Sequence, residues 1–157
     1  MDCVPKSAFA NCWGWLAGTF REAGWAPLLV LVFWAIAAKG FDAYERYPSL
    51  DMPTHFCGGI SIAYLTSVGV VRLAPLLGAA HPLLRGALAI GATAVAAIVW
   101  EFLEYLSDLF IGTHLNLGVR DTLSDLFFGL LGATFFVALR AGSWLRAHAD
   151  QLSASGQ

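Results

Sequence analysis

Apolar residues fall in four long blocks, at about residues 24–41, 54–73, 84–110 and 122–144, separated by short stretches that carry Pro, Gly or charged residues. A helix needs roughly 20 apolar residues to cross the hydrocarbon layer of a membrane. Each block approaches or exceeds that length. The pattern therefore predicts an all-α integral membrane protein, a four-transmembrane-helix bundle forming one membrane domain over residues 1–157. Ahead of the first block, Phe9, Cys12, Trp13, Leu16 and Phe20 recur at helical spacing, with Lys6, Arg21 and Glu22 at the ends. That stripe, over residues 8–22, suits an interfacial helix lying along the membrane surface. An early turn of one long first span is the competing reading, and Gly24 and Pro27 argue for a break between the two.

Composition agrees with the pattern. The chain is 58% apolar and only 13% charged, with a mean hydropathy of +0.66, outside the usual soluble range. Basic residues are scattered singly, so no nucleic-acid partner is expected. Cys3, Cys12 and Cys57 show neither a CxxC nor a zinc-like spacing. They read as small apolar fillers. The N-terminus lacks an apolar core followed by a small-residue cleavage site, so no removable signal peptide is expected.

Charge is distributed unevenly between the two ends of such a bundle. The N-terminal segment, the second loop and the C-terminus carry Lys6, Arg21, Arg72, Arg85, Arg140 and Arg146, against Lys39, Arg46 and Arg120 in the first and third loops. The excess of Lys and Arg places both termini in the cytoplasm. Eight of the eleven acidic residues belong to the opposite end: Asp42, Glu45, Asp51, Glu101, Glu104, Asp108, Asp121 and Asp125. Reversing the whole protein would keep those eight together.

The acidic residues also share helix faces. Asp51 and His55 are four apart at the start of the second block, Glu101, Glu104 and Asp108 form one stripe near the end of the third, and Asp121 and Asp125 open the fourth. Carboxylates gathered in a low dielectric repel one another unless a cation or shared protons neutralise them. A divalent metal ion, Zn, Mn, Mg or Fe, suits an oxygen and imidazole donor set. Helical bundles build such sites from facing helices.

Plainer readings exist for several of these residues. Asp51, just before Pro53, serves equally well as a helix N-cap, and Asp121 would cap the fourth helix in the same way. Asp108 reads more naturally as a solvated interfacial residue, Asp42 and Glu45 as an ordinary loop, and His114 as a surface histidine. Arg120 is the nearby cation for a structural network, yet one Arg cannot offset four or five carboxylates. His55, Glu101, Glu104 and Asp125 resist such readings, because ionisable groups within a span are costly and usually functional. Arg140 is expected to snorkel to the cytoplasmic interface. Gly58, Gly59, Gly86, Gly91, Gly129 and Gly132 read as packing positions that allow close helix approach.

The stretches "LDMPTHFCGG", "WEFLE" and "RDTLSDLFFGLLGA" together resemble the DUF2238 (YjdF-like) group of small bacterial inner-membrane proteins, and more distantly the VanZ-like family. The likeness covers roughly residues 51–133. Where VanZ-like proteins usually carry a Lys after the first Asp and an Asn near position 125, this chain has Met52 and no such Asn. Those departures favour the first group. The resemblance implies a multi-pass bacterial inner-membrane location and supports the site, while assigning no reaction.

The residues point first to a membrane-embedded, metal-dependent hydrolase acting on a lipid or lipid-linked envelope substrate. In it His55, Glu101, Glu104 and Asp125 ligate the metal, with Asp51, Asp121 or Asp108 as general base or supporting group. Oxidation at a di-iron site would want more histidines than His55 and His114 supply. A small transporter or channel for protons or divalent cations is the alternative, although no polar residues continue the path toward the cytoplasmic half. A non-catalytic accessory subunit is a third reading. The expected partners are membrane lipids, a lipid-linked substrate and further copies of the chain in a homo-oligomer.

Overall fold

The computed structural model describes residues 6–155, with side chains from 12 to 154. Cys3 lies outside the described residues, as do the side chains of Lys6 and Phe9. The described residues form six α-helices and a 3-10 turn, with no strand: α1 (Lys6–Ala23), α2 (Trp25–Phe41), α3 (Ala43–Arg46), the 3-10 turn Pro48–Leu50, α4 (Asp51–Leu77), α5 (Pro82–Ile111) and α6 (Val119–Ser155). The segments Pro48–Leu77, Pro82–Ile111 and Val119–Ala154 are each long and apolar enough to cross a membrane. Cys12–Ala23 and Trp25–Phe41 meet the same requirement only together, as a pair bent by 59°.

The bend has a local cause. Gly24 still donates its N–H to the Phe20 carbonyl at 2.8 Å, but Pro27, three residues on, has no N–H to continue the ladder. Both halves nonetheless run along α4. In α1, the Trp15 indole donates to the Gly69 carbonyl at 2.7 Å. In α2, Trp25 packs on Tyr64 of α4, and Trp34 meets Trp100 of α5 edge-on. The bent pair therefore extends from the late turns of α4 back to the level of its first turns.

At the far end of the chain, α6 continues to Ser155, past the span expected at 122–144. Past Gly142 no proline or glycine interrupts a run of good helix formers up to Ser155. Its 37 residues measure about 55 Å at 1.5 Å per residue, well beyond the roughly 30 Å hydrocarbon layer. The last turns of α6 thus project from the apolar slab.

Helix α4 is the hub, packing against α1, α2, α5 and α6. Its contact with α6 is the tightest in the bundle, because two glycines meet backbone directly. Gly59 lies against the Gly129 carbonyl and Gly132 against the Phe56 carbonyl, where a Cβ would collide. Ala63, Ala89 and Ala133 then close the centre with no exposed surface. Small side chains leave little void and bring three backbones together. Outside, large apolar residues such as Phe33, Phe102, Phe110 and Phe127 are exposed, as lipid contact requires. Cys12 and Cys57 are free and exposed as well.

Replacing Gly59 with Ala should force α4 and α6 apart and cost about 1–3 kcal/mol, the usual penalty of overpacking. Gly91→Ala, at a glycine with nothing within 4 Å of its added methyl, should leave stability unchanged or slightly raised. Thermal unfolding of the two variants in detergent compares them directly.

Candidate metal centre

Asp51 is the first residue of α4, and the chain reaches it through the 3-10 turn, so its backbone N–H is already bonded to the Pro48 carbonyl. Leu50 occupies the cap position and no side chain caps the helix. The Asp51 carboxylate is thereby released from the N-cap role open to it in the sequence. It faces His55 one turn on, with Asp51 Oδ1 3.4 Å from His55 Nε2. Across the α4–α6 contact, Asp125 Oδ1 stands 3.8 Å from the same nitrogen.

These three groups offer ligand atoms that all lie within 4.8 Å of one another. The separations are longer than a charge-assisted hydrogen bond of about 2.7–2.9 Å. They come closer to the spacing of donors about one ion, which is about 3–3.5 Å when each bond is about 2.0–2.2 Å. Asp125 is 2% exposed and its Oδ2 has no hydrogen-bond partner among the described residues. An orphaned carboxylate oxygen at that depth is expensive. The donor set therefore fits a divalent cation.

Helix α5 supplies the facing wall. Glu101 and Glu104 are both buried there, and Glu101 Oε2 is likewise without a partner. Glu104 Oε1 accepts the Trp100 indole N–H at 2.7 Å, and that indole is braced by Trp34. Both carboxylates lie within electrostatic reach of His55 and Asp51. The structure thus gathers Asp51, His55 and Asp125 most closely and sets Glu101 and Glu104 beside them. Asp121, in the first turn of α6, also lies within electrostatic reach of Glu101 and Asp125. Its Oδ2 accepts the Leu117 N–H at 3.0 Å, reaching back over the start of the helix. Asp121 therefore holds the loop end against the first turn of α6 and borders the cluster, and it is not the N-cap residue expected from sequence.

Asp108 is placed elsewhere. Its Oδ1 accepts from the Thr113 hydroxyl at 2.6 Å and the Leu115 N–H at 2.8 Å, and its Oδ2 from the Asn116 N–H at 2.9 Å. Rather than being merely solvated or joining the cluster, this carboxylate ties down the α5–α6 loop. Asn116 extends the same tie by donating to Thr122 at 2.9 Å. His114 is exposed and lies within electrostatic range of Asp108. Arg120 is exposed too, and among the described residues no Lys or Arg forms an ion pair with the cluster. A structural Arg–carboxylate network is therefore absent from this set.

Two supporting groups escaped the sequence. Tyr44 and Thr54 share a 2.8 Å hydrogen bond. Because Thr54 donates its own proton to the Leu50 carbonyl, the Tyr44 hydroxyl is the donor to Thr54. Burial pushes that phenol above its ordinary range, and the nearby negative charges of Asp51 and Glu104 add to the effect, so it stays protonated. The bond pins α3 to the first turn of α4. Trp100, apolar in hydropathy, was legible only as part of the span.

An apolar cavity of about 230 Å³ adjoins the cluster, with His55 and Trp100 in its wall beside Pro27, Leu31 and Ile62. It lies where α2 rests on α4 and meets α5 through the Trp34–Trp100 ring contact.

Fold and site together define a helical membrane protein with a partly buried acidic centre, carrying histidine, at one end of its bundle. The chain belongs to the DUF2238 family, described as a predicted membrane protein, whose profile matches residues 8–146. No curated protein and no solved structure matches the chain.

Replacing Asp108 with Ala removes the shared acceptor of the α5–α6 loop. Deuterium exchange at the Leu115 and Asn116 amides should accelerate, while exchange in the first turns of α4 should stay unchanged. Peptide-resolved exchange mass spectrometry tests both halves of the statement.

Proposed function

We propose that the acidic end is a metal-dependent hydrolytic site acting on a lipid or lipid-linked substrate. The observation that carries this reading is the meeting of three potential ligand atoms, from Asp51, His55 and Asp125, beside an apolar cavity within the membrane-spanning helices. In a lipid-embedded bundle such a cavity receives apolar chains, and the polar cluster then meets the head of the molecule that enters. A bound divalent ion would supply Lewis acidity toward a substrate oxygen and an activated water at neutral pH.

The chain's own groups would divide the remaining work. Glu101, with Oε2 free of hydrogen bonds, is the general base that takes the proton of the attacking water. It returns that proton to the departing oxygen of the cleaved ester or phosphoester. Trp100 holds Glu104 in one orientation, so Glu104 positions rather than moves. Asp121 shapes the field at the α6 end. Transport has no comparable support, since Ala63, Ala89 and Ala133 pack without exposed surface in the bundle core.

Metal analysis of the purified protein is the direct test. Wild-type protein should hold divalent metal stoichiometrically, and His55→Ala or Asp125→Asn should weaken it by on the order of a hundredfold or more, beyond the effect of losing an outer support. Asp108→Asn should bind as wild type does. Glu101→Gln should keep the metal and lose release of water-soluble product from a labelled lipid extract. Wild-type protein without stoichiometric metal would sink the proposal.

The same reading places the protein in the bacterial inner membrane with the acidic end outward. The excess of Lys and Arg at the other end supports this orientation. A reporter fused after Gln157 should then be active in the cytoplasm, and periplasmic activity would reverse the assignment.

A further inference from the structure

The opposite end of the bundle carries a second arrangement that the acidic site does not use. A cavity of about 450 Å³ lies among Glu22 of α1, Val68, Val71, Arg72 and Pro75 of α4, and Arg85 of α5. Arg72 donates to Glu22 at 3.0 Å, and its guanidinium rests against Gly18. Among the described residues Arg85 has no carboxylate partner. It donates to the Ser67 hydroxyl at 3.2 Å, and its guanidinium stacks 4.1 Å from the Trp144 ring centroid. The buried Nε atoms of both arginines find no acceptor among the described residues.

Three features single out an anion of particular chemistry. Two guanidinium groups line one cavity, and each still has a buried N–H donor to satisfy. Arg140 lies within electrostatic range of Arg85, so three positive charges stand against the single carboxylate of Glu22. Arg85 also lies in the opening turns of α5, where the helix dipole adds positive potential. The forked, planar donors of arginine match the oxygens of a phosphate group. Basic pockets between membrane helices recurrently hold phosphorylated lipid heads.

We propose that this pocket binds a phosphate group on Arg72 and Arg85, with Trp144 and Ser67 fixing Arg85 in position. The depth of the pocket fits an anionic phospholipid. Arg72 lies about 32 Å along α4 from Asp51 at 1.5 Å per residue, the thickness of the hydrocarbon layer. A free phosphate-bearing solute presents the same chemistry from the aqueous side. The inference stands apart from the metal centre and survives its failure.

Thermal unfolding of the full chain in uncharged detergent tests it with three probes: phosphatidylglycerol, phosphatidylcholine and inorganic phosphate. Phosphatidylglycerol should raise the melting temperature more than phosphatidylcholine, and Arg85→Gln or Arg72→Gln should weaken its apparent affinity on the order of tenfold. Arg146→Gln, at an exposed arginine away from the pocket, should match wild type. Glu22→Gln removes the competing carboxylate and should tighten binding about two- to fivefold, an effect that a merely destabilised variant cannot mimic. An arginine-dependent shift from inorganic phosphate alone also supports the site and identifies a soluble ligand as its source. Absence of a shift with both anionic probes overturns the proposal. So does a shift of equal size in Arg85→Gln, Arg72→Gln and wild type.

Discussion

The backbone contact between α4 and α6 is the constraint on which the rest of the structure depends. Gly59 and Gly132 each meet a carbonyl of the other helix, which fixes the separation and rotation of the two axes. One turn before Gly59 stands His55, and two turns before Gly132 stands Asp125. Their 3.8 Å approach follows from the glycine contact below them. A wider crossing would leave a carboxylate and an imidazole on separate helices, each facing apolar surroundings at high cost. Packing at the middle of the bundle thus dictates chemistry at its end.

Electrostatics then narrows what the end can be. Asp51, Asp125, Glu101 and Glu104 come from three helices, and among the described residues no Lys or Arg forms an ion pair with them. Only His55 stands among them as a group able to carry positive charge. A set of four carboxylates and one imidazole with orphaned oxygens at Asp125 and Glu101 is poorly satisfied as a structural network, since such networks stabilise only when every member is bonded. The remaining ways to satisfy it are shared protons and a cation.

Much of this was legible in the sequence, and the reasons for the remainder are physical. Four apolar blocks and the grouping of acidic residues at one end follow from helix length and chain direction alone, so the bundle and its two ends could be read directly. Spacing of three and four identifies a shared face on one helix. It does not reveal which neighbouring group that face meets, or at what height. Asp108 lies on the same α5 stripe as Glu104, yet the chain turns just beyond it and offers three donors from residues 113–116. That loop captures it before it can reach α4. Asp51 shows the opposite case. Its position before Pro53 looks like a cap, but Leu50 takes the cap position and Asp51 is already helical, so its carboxylate does not cap. Tyr44, Trp100 and Trp34 carry no distinguishing spacing, and their roles depend on contacts between distant segments.

The two ends differ in a way that bears on how a membrane would be used. The acidic centre is partly buried, and its carboxylates repel any anionic head that lacks a neutralising cation. At the other end, the Arg72 and Arg85 guanidinium groups line one cavity with Glu22. The ends stand about one hydrocarbon thickness apart along α4, so each meets one face of the bilayer. Between them Ala63, Ala89 and Ala133 pack without exposed surface, and any coupling must pass through α4 as a rigid element. Helix α4 contacts every other membrane helix, and its Arg72 lines one cavity with Glu22 of α1 and Arg85 of α5. The same helix presents Asp51 and His55 at its other end. One helix therefore contributes residues to the arrangements at both faces.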